Sequence, residues 1–164
     1  MGAISRINKS PLSQRTKTQL RKALVETQNI KVLTSSYTHP QATGTTLADI
    51  SGFKLPVNAN TTYKYMVSIA ATANASGGAK FALTGPSVSF LTGQVQADGV
   101  STTSTTFATV AAGATAAAVE LLAVGTFKTT ANGTVQVRAG QNASHASDPV
   151  FLAGSFLQLE EVVG

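Results

Sequence analysis

The chain has 164 residues and no cysteine, and charged residues make up 12% of it, about half of the ~25% of an average soluble domain. The missing cysteines exclude disulfides and thiolate metal sites, and the length suits one domain that buries its own core. No window approaches the ~18 continuous apolar residues of a transmembrane helix. The first ten residues lack the apolar region of a signal peptide, so we expect synthesis in the cytoplasm without a secretory leader.

The net charge of +5 is concentrated at the N-terminus. Residues 1–31 carry seven basic residues against one acid, whereas the rest of the chain carries five against six. Such an asymmetry indicates an arm with its own partner. The candidate partner-binding residues are Arg6, Lys9, Arg15, Lys17, Arg21 and Lys22.

Residues 1–29 are predicted to form a basic arm followed by a helix. Ser10-Pro11 is typical of an N-cap followed by proline at the first helical position. The predicted helix ends near Asn29, and its weakly apolar face consists of Leu12, Thr16, Leu20, Ala23, Leu24 and Thr27. An isolated helix of this length is marginal in water. We therefore expect it to dock on its own domain, a sister chain or another protein.

Residues 30–164 are predicted to form an antiparallel β-sandwich of the jelly-roll kind, because short alternating segments are separated by Gly, Asn and Pro turns. The predicted strands are 30–38, 52–57, 63–71, 80–85, 88–97, 118–129, 134–139 and 150–163. Residues 101–118 are rich in Thr and Ala and fit either a loop or a flat strand. The core is predicted to include Tyr65, Val67, Val135, Val137, Leu157 and Leu159.

Residues that could bind a metal or catalyse a reaction form no recognisable constellation. A zinc site without cysteine would need both histidines, His39 and His145, plus a carboxylate, so isolated loop histidines are the simpler interpretation. There is no phosphate-binding loop, dinucleotide fingerprint or serine nucleophile motif. We expect no metal, no cofactor and no enzymatic activity.

The carboxylates give the same result. Nothing in their spacing selects an acid pair for glycoside hydrolysis, and Glu160 and Glu161 are predicted to lie on opposite faces of one strand. Asp49 and Asp98 are interpreted as turn formers.

The basic arm is compatible with three kinds of partner. Nucleic acid phosphates would attract it, but it has no aromatic residues between its bases and no base-reading motif. An anionic membrane would attract it too, but its apolar face has no Trp or Phe to insert. An acidic protein surface requires only charge and a few leucines. We therefore favour a protein partner, with a merely solvated helix face as the simpler alternative.

Residues 43–163 resemble a β-sandwich domain common in structural proteins of tailed bacteriophages. The family pattern T-L-x-D-h-x-G-h-x-h-P-V, followed by N-T-T-Y or G-T-T-Y, is matched by Thr46, Leu47, Asp49, Gly52, Phe53, Leu55, Pro56, Val57, Asn60, Thr61, Thr62 and Tyr63. Gly85-Pro86 matches a later strand end, and residues 132–162 resemble the closing strands. The departures are an extra Gly140 in the A-Q-N segment, His145 at a position that is commonly acidic, and a third strand that is poorer in arginine and aromatic residues than is usual.

The resemblance implies a non-enzymatic component of the virion. The leading hypothesis is a capsid decoration, or cement, protein on the outer surface of the capsid. It would form a homotrimer, bind the major capsid protein through the basic arm and stabilise the head. The alternative is a tail-fibre, spike or collar subunit that contacts the host receptor. A glycan-degrading depolymerase is a third hypothesis, against which the missing acid pair and aromatic platform argue.

Overall fold

The computed structural model describes residues 28–40, 44–113 and 119–162. These residues form two antiparallel sheets packed as a sandwich and contain no helix, so the predicted mainly-β sandwich fold is confirmed. The strands are β1 (Gln28–Val32), β2 (Tyr37–Thr38), β3 (Ala48–Val57), β4 (Thr62–Thr72), β5 (Ala79–Thr84), β6 (Val88–Ala97), β7 (Val100–Ser104), β8 (Ala111–Gly113), β9 (Val119–Thr129), β10 (Gly133–Gln141), β11 (Val150–Phe151) and β12 (Phe156–Glu161).

The connectivity is that of a jelly roll with one added hairpin. The larger sheet has the order β1-β12-β4-β9-β6-β7. The short strands β2 and β11 pair with each other and continue β1 and β12 lengthwise, and β11 also pairs with β4. The smaller sheet has the order β3-β10-β5-β8. When β1 and β2, and likewise β11 and β12, are each taken as one interrupted strand, two four-stranded sheets remain in jelly-roll order. The β6–β7 hairpin widens the larger sheet beyond β9.

The core lies between the two sheets, and the long strands of the larger sheet contribute every second residue to it. In β4 the alternate residues from Tyr63 to Ala71 are buried, and the residues between them point outward. The six predicted core residues are all buried: Tyr65, Val67, Val135, Val137, Leu157 and Leu159.

Aromatic rings fill one end of this core. Phe127 is fully buried and lies 4.9 Å from Phe107, edge to face, by ring centroids. The rings of Tyr63 and Tyr65 lie 5.4 Å and 5.9 Å from that of Phe127. Such spacings are those of favourable aromatic pairs, so Phe127 anchors the larger sheet against the loop after β7.

A bulge in β3 explains why the predicted strand 52–57 is longer in the structure. The register between β3 and β10 shifts just after Gln136, and Gly52 takes a φ of 72°, which glycine adopts without the Cβ penalty. The buried Gln136 amide donates from Nε2 to the carbonyl oxygens of Ile50, Phe53 and Val137 at 2.9, 3.3 and 2.8 Å. The pairing therefore continues past the bulge to Ala48.

Two other predicted strands are divided in the structure, and part of the segment left open as loop or strand is assigned. The predicted strand 30–38 is divided into β1 and β2, and β1 begins at Gln28, inside the segment assigned to the arm. The predicted strand 150–163 is divided by a turn in which Gly154 has a φ of 91°. Residues 100–104 and 111–113 are strands, which resolves part of the Thr- and Ala-rich segment, while residues 114–118 lie outside the described part.

Candidate functional site

The outward-pointing residues of β1, β12, β4, β9, β6 and β7 form one continuous surface, which we call the outer face. It is positioned by strand alternation alone: in β4, Lys64, Met66 and Ser68 point outward because their neighbours fill the core. The face is therefore built on rigid, paired backbone.

Two rows of side chains cross the middle of the outer face, one residue from each strand. The first row is Val32, Phe156, Ser68, Leu122, Gln96 and Ser101. The second row is Ile30, Gln158, Met66, Val124, Gln94 and Thr103. We call these the central rows. Neither contains a charged residue, although they face solvent in the described part of the chain.

Large apolar side chains are exposed in the central rows. Ile30, Val32 and Met66 are 49%, 45% and 41% exposed, and half-buried Leu122, Val124 and Phe156 lie beside them. Cross-strand pairing brings Val32 next to Phe156 and Met66 next to Val124. Single exposed apolar residues need no explanation, but a contiguous group of them is typical of surfaces that bind a protein, a membrane or a ligand.

Charged side chains of the outer face are confined to its two ends. Lys64 and Lys128 lie towards one end, where Glu160 is directly opposite Lys64 on the neighbouring strand. Glu120 lies at the other end, near Asp98, whose backbone N–H donates to the Glu120 carbonyl at 3.2 Å. An uncharged centre with a charged rim is the usual anatomy of a protein–protein interface.

Two shallow depressions indent the outer face. One, of about 610 Å³, lies at the acidic end and is lined by Glu120, Asp98 and Leu122 among others. The second, of about 320 Å³, lies between Lys64, Met66 and Glu160. Their apolar floors and charged borders can receive side chains that protrude from another protein.

The basic residues predicted to bind a partner lie outside the described part of the chain, as do the predicted arm and most of the predicted helix. These residues are Arg6, Lys9, Arg15, Lys17, Arg21 and Lys22.

Both histidines hold loop structure. His39 is completely buried and donates from Nε2 to the Gly44 carbonyl at 3.0 Å. The Nδ1 of His145 accepts from the Ser147 backbone N–H at 3.0 Å, and the His145 N–H donates to the buried Gln141 side chain at 3.1 Å. Each of these two ring nitrogens makes a hydrogen bond with a backbone group, as expected for histidines in loops.

The interpretation of Asp49 as a turn former is wrong. Asp49 lies within β3, and its Oδ1 is 3.0 Å from the Nε of Arg138 on β10. The guanidinium also donates from Nη2 to the Leu47 carbonyl at 2.6 Å. Asp98 does form a turn, with a φ of 48°, which an aspartate tolerates better than most residues.

Glu160 and Glu161 lie on opposite faces of β12, as predicted, since Glu160 is opposite Lys64 and Glu161 is opposite Tyr63. Within the described residues, no group of three His, Asp or Glu side chains could hold a metal ion. The same part of the chain contains no helix long and apolar enough to cross a membrane.

Comparison with protein-family models finds no match to the chain, and comparison with curated protein sequences finds none either. The likeness to bacteriophage sandwich domains therefore rests on the residues given above.

Sequence reasoning overlooked the outer face. The signal was present, because Met66, Leu122 and Val124 are apolar residues at outward positions of predicted strands. An antiparallel sheet with one solvated face normally alternates apolar with polar residues. Apolar residues on both faces thus predict that the second face is covered too.

Proposed function

We propose that this chain is a non-enzymatic structural protein of a tailed-bacteriophage virion, and specifically a capsid decoration protein that binds the major capsid protein. The observation that carries an assembly role is the uncharged, partly apolar centre of the outer face, which suits a surface covered by other protein. The virion context comes from the sequence resemblance over residues 43–163.

The basic arm supplies attachment in this proposal. Arg6, Lys9, Arg15, Lys17, Arg21 and Lys22 lie within seventeen consecutive positions, whereas the body is nearly neutral. Each exposed ion pair contributes only ~0.2–1 kcal/mol, so attachment needs several of them at once. If copies associate as the implied homotrimer, several arms bind one capsid, and linkage raises avidity ~10²–10⁴-fold without new contacts.

The test mixes purified protein with undecorated capsids and measures co-sedimentation at increasing salt. Wild-type binding is expected to weaken with salt, because exposed charges are screened over ~8 Å at physiological ionic strength. Replacing Arg15, Lys17, Arg21 and Lys22 together with glutamate is expected to abolish binding. A matched control exchanges arginine and lysine at the same four positions, which keeps the charge, and is expected to bind.

Equal binding by wild type and the glutamate variant would show that the arm is not the anchor. Binding of both proteins to tails or host cells, and of neither to capsids, would replace the decoration role with that of a tail-fibre, spike or collar subunit.

A further inference from the structure

The charges of the outer face are separated along the strand direction. Lys64 and Lys128 lie on one side of the central rows, where Glu160 offsets Lys64. Glu120 lies on the other side, and both Glu120 and Asp98 border the depression at that end. One end of the face is therefore basic and the other acidic, with an uncharged centre between them.

This distribution is self-complementary under two-fold symmetry. A two-fold axis that lies in the interface and runs across the strands turns the two outer faces towards each other and reverses the strand direction, so the basic end of each copy meets the acidic end of the other. With the axis near Met66 and Val124, which are opposite each other in a central row, Lys128 of one copy faces Glu120 of the second. Three copies around an axis parallel to the strands would instead gather like charges.

The outer face has the area that a stable pair requires. β9 has 11 residues and is ~36 Å long at ~3.3 Å per residue, and six strands spaced ~4.8 Å apart are ~24 Å wide. The product is close to the ~800 Å² that each partner buries in a standard interface. Depletion of charge at the centre and a methionine within it are also typical of interfaces.

We infer that the outer face binds a second copy of this chain in a two-fold pair centred on Met66 and Val124. The resemblance implies a homotrimer, whereas the charges of the outer face fit a two-fold pair, so this inference replaces that stoichiometry; it does not depend on capsid binding. Lys128 and Glu120 form the two equivalent ion pairs at the ends of the contact.

The first experiment is sedimentation of the full-length protein at micromolar concentration. Wild type is expected to have twice the chain mass of 16.8 kDa. Lys128→Glu and Glu120→Lys should each weaken the pair about tenfold, because each reversal replaces two exposed attractions by two repulsions. The double variant restores both pairs with exchanged signs and should regain wild-type affinity within about twofold.

The double variant is the decisive comparison, because a merely additive result of about a hundredfold loss would overturn the pairing of Lys128 with Glu120. A wild-type monomer would overturn the inference. The outer face would then be covered by residues 1–27 of the same chain or by another protein. A trimer would also overturn the inference and would favour the stoichiometry that the resemblance implies.

A second experiment places the contact without relying on charge. The chain has no cysteine, so Met66→Cys gives a single thiol near the proposed axis, where it meets the thiol of the second copy. Facing sheets are ~10 Å apart, so a short bis-maleimide, not a disulfide, should join the two copies. Lys54→Cys, exposed on the smaller sheet, is the control and should remain uncrosslinked; equal crosslinking at both positions would contradict the assignment.

A negative result in either experiment does not bear on the proposed capsid binding, because capsid binding is measured separately by co-sedimentation with capsids. A stable pair that binds no capsid would overturn the proposed function and keep the present inference.

Discussion

At the scale of single residues, the bulge between β3 and β10 depends on the Gln136 amide. The side chain is buried, and its Nε2 donates hydrogen bonds to the carbonyl oxygens of Ile50 and Phe53. Gln136→Leu leaves these acceptors without that donor and is expected to lower the free energy of unfolding by about 1–3 kcal/mol, measured by urea denaturation. Lys54→Leu, an exposed change opposite Gln136 in register, should stay within about 0.5 kcal/mol. Equal midpoints for Gln136→Leu and wild type would show that the amide does not stabilise the bulge.

The hydroxyl of Tyr65 makes stability sensitive to alkaline pH. Burial raises the pKa of Tyr65 above its ordinary value of 10.0, and the hydrogen bond with Ser104 opposes this only in part. Below pH 10 the folded and unfolded states both keep the proton, so the shift has no effect. As pH rises above 10, the unfolded chain ionises first and the free energy of unfolding falls.

Tyr65→Phe removes this titration. Its free energy of unfolding, measured by urea denaturation at pH 8 and at pH 11, should therefore fall less between the two pH values than that of wild type. Burial raises the pKa of Tyr37 as well, and Asp49 adds to the effect, so part of the alkaline loss should persist in the variant. An undiminished loss in Tyr65→Phe would contradict the role given to its hydroxyl.

At the scale of strands, β6 and β9 approach closely because Gly93 and Gly125 are paired across them. A Cβ at Gly125 would lie 2.7 Å from Tyr65 Cε1 and 2.7 Å from Gly93 Cα, and a Cβ at Gly93 would collide with the Tyr65 hydroxyl. Gly125→Ala is therefore expected to lower the free energy of unfolding by about 1–3 kcal/mol through overpacking.

The matched control for Gly125→Ala is Thr126→Ala, one residue further along β9 with an outward side chain. It should change thermal or urea stability little. If the two variants were equally stable, the close approach of the glycine pair to Tyr65 would not restrict the strand.

Strand alternation made the core residues predictable, whereas the local bulges and turns of the backbone were not predictable from it. The buried positions of β4, and the buried valines of β10, follow from a period of two, which is why Val67 and Val137 were assigned correctly. The bulge after Gln136 and the turn at Gly154 depend on two left-handed glycines, Gly52 and Gly154, and on one side-chain amide, and these are features that periodicity does not register. The same limit explains why Asp49 was interpreted as a turn residue instead of the partner of Arg138.

At the scale of the whole molecule, the sandwich class followed from turn-separated short strands, but the outer face did not. Its uncharged centre is assembled from six strands, most of whose neighbours in the sheet are distant in sequence, so it emerges only when the strand order is known. Met66 and Val124 are far apart along the chain and become neighbours through the β4–β9 pairing. Surfaces of this kind are properties of topology, and sequence patterns report them only as apolar residues at unexpected positions.

The central proposal, that this chain decorates a phage capsid, is tested most directly by counting its copies in purified phage particles. Quantitative mass spectrometry would measure the ratio of this chain to the major capsid protein. The account predicts hundreds of copies per particle, in proportion to the shell. A dozen or fewer copies would place the chain in the tail or collar, and absence from the particle would contradict a virion role altogether.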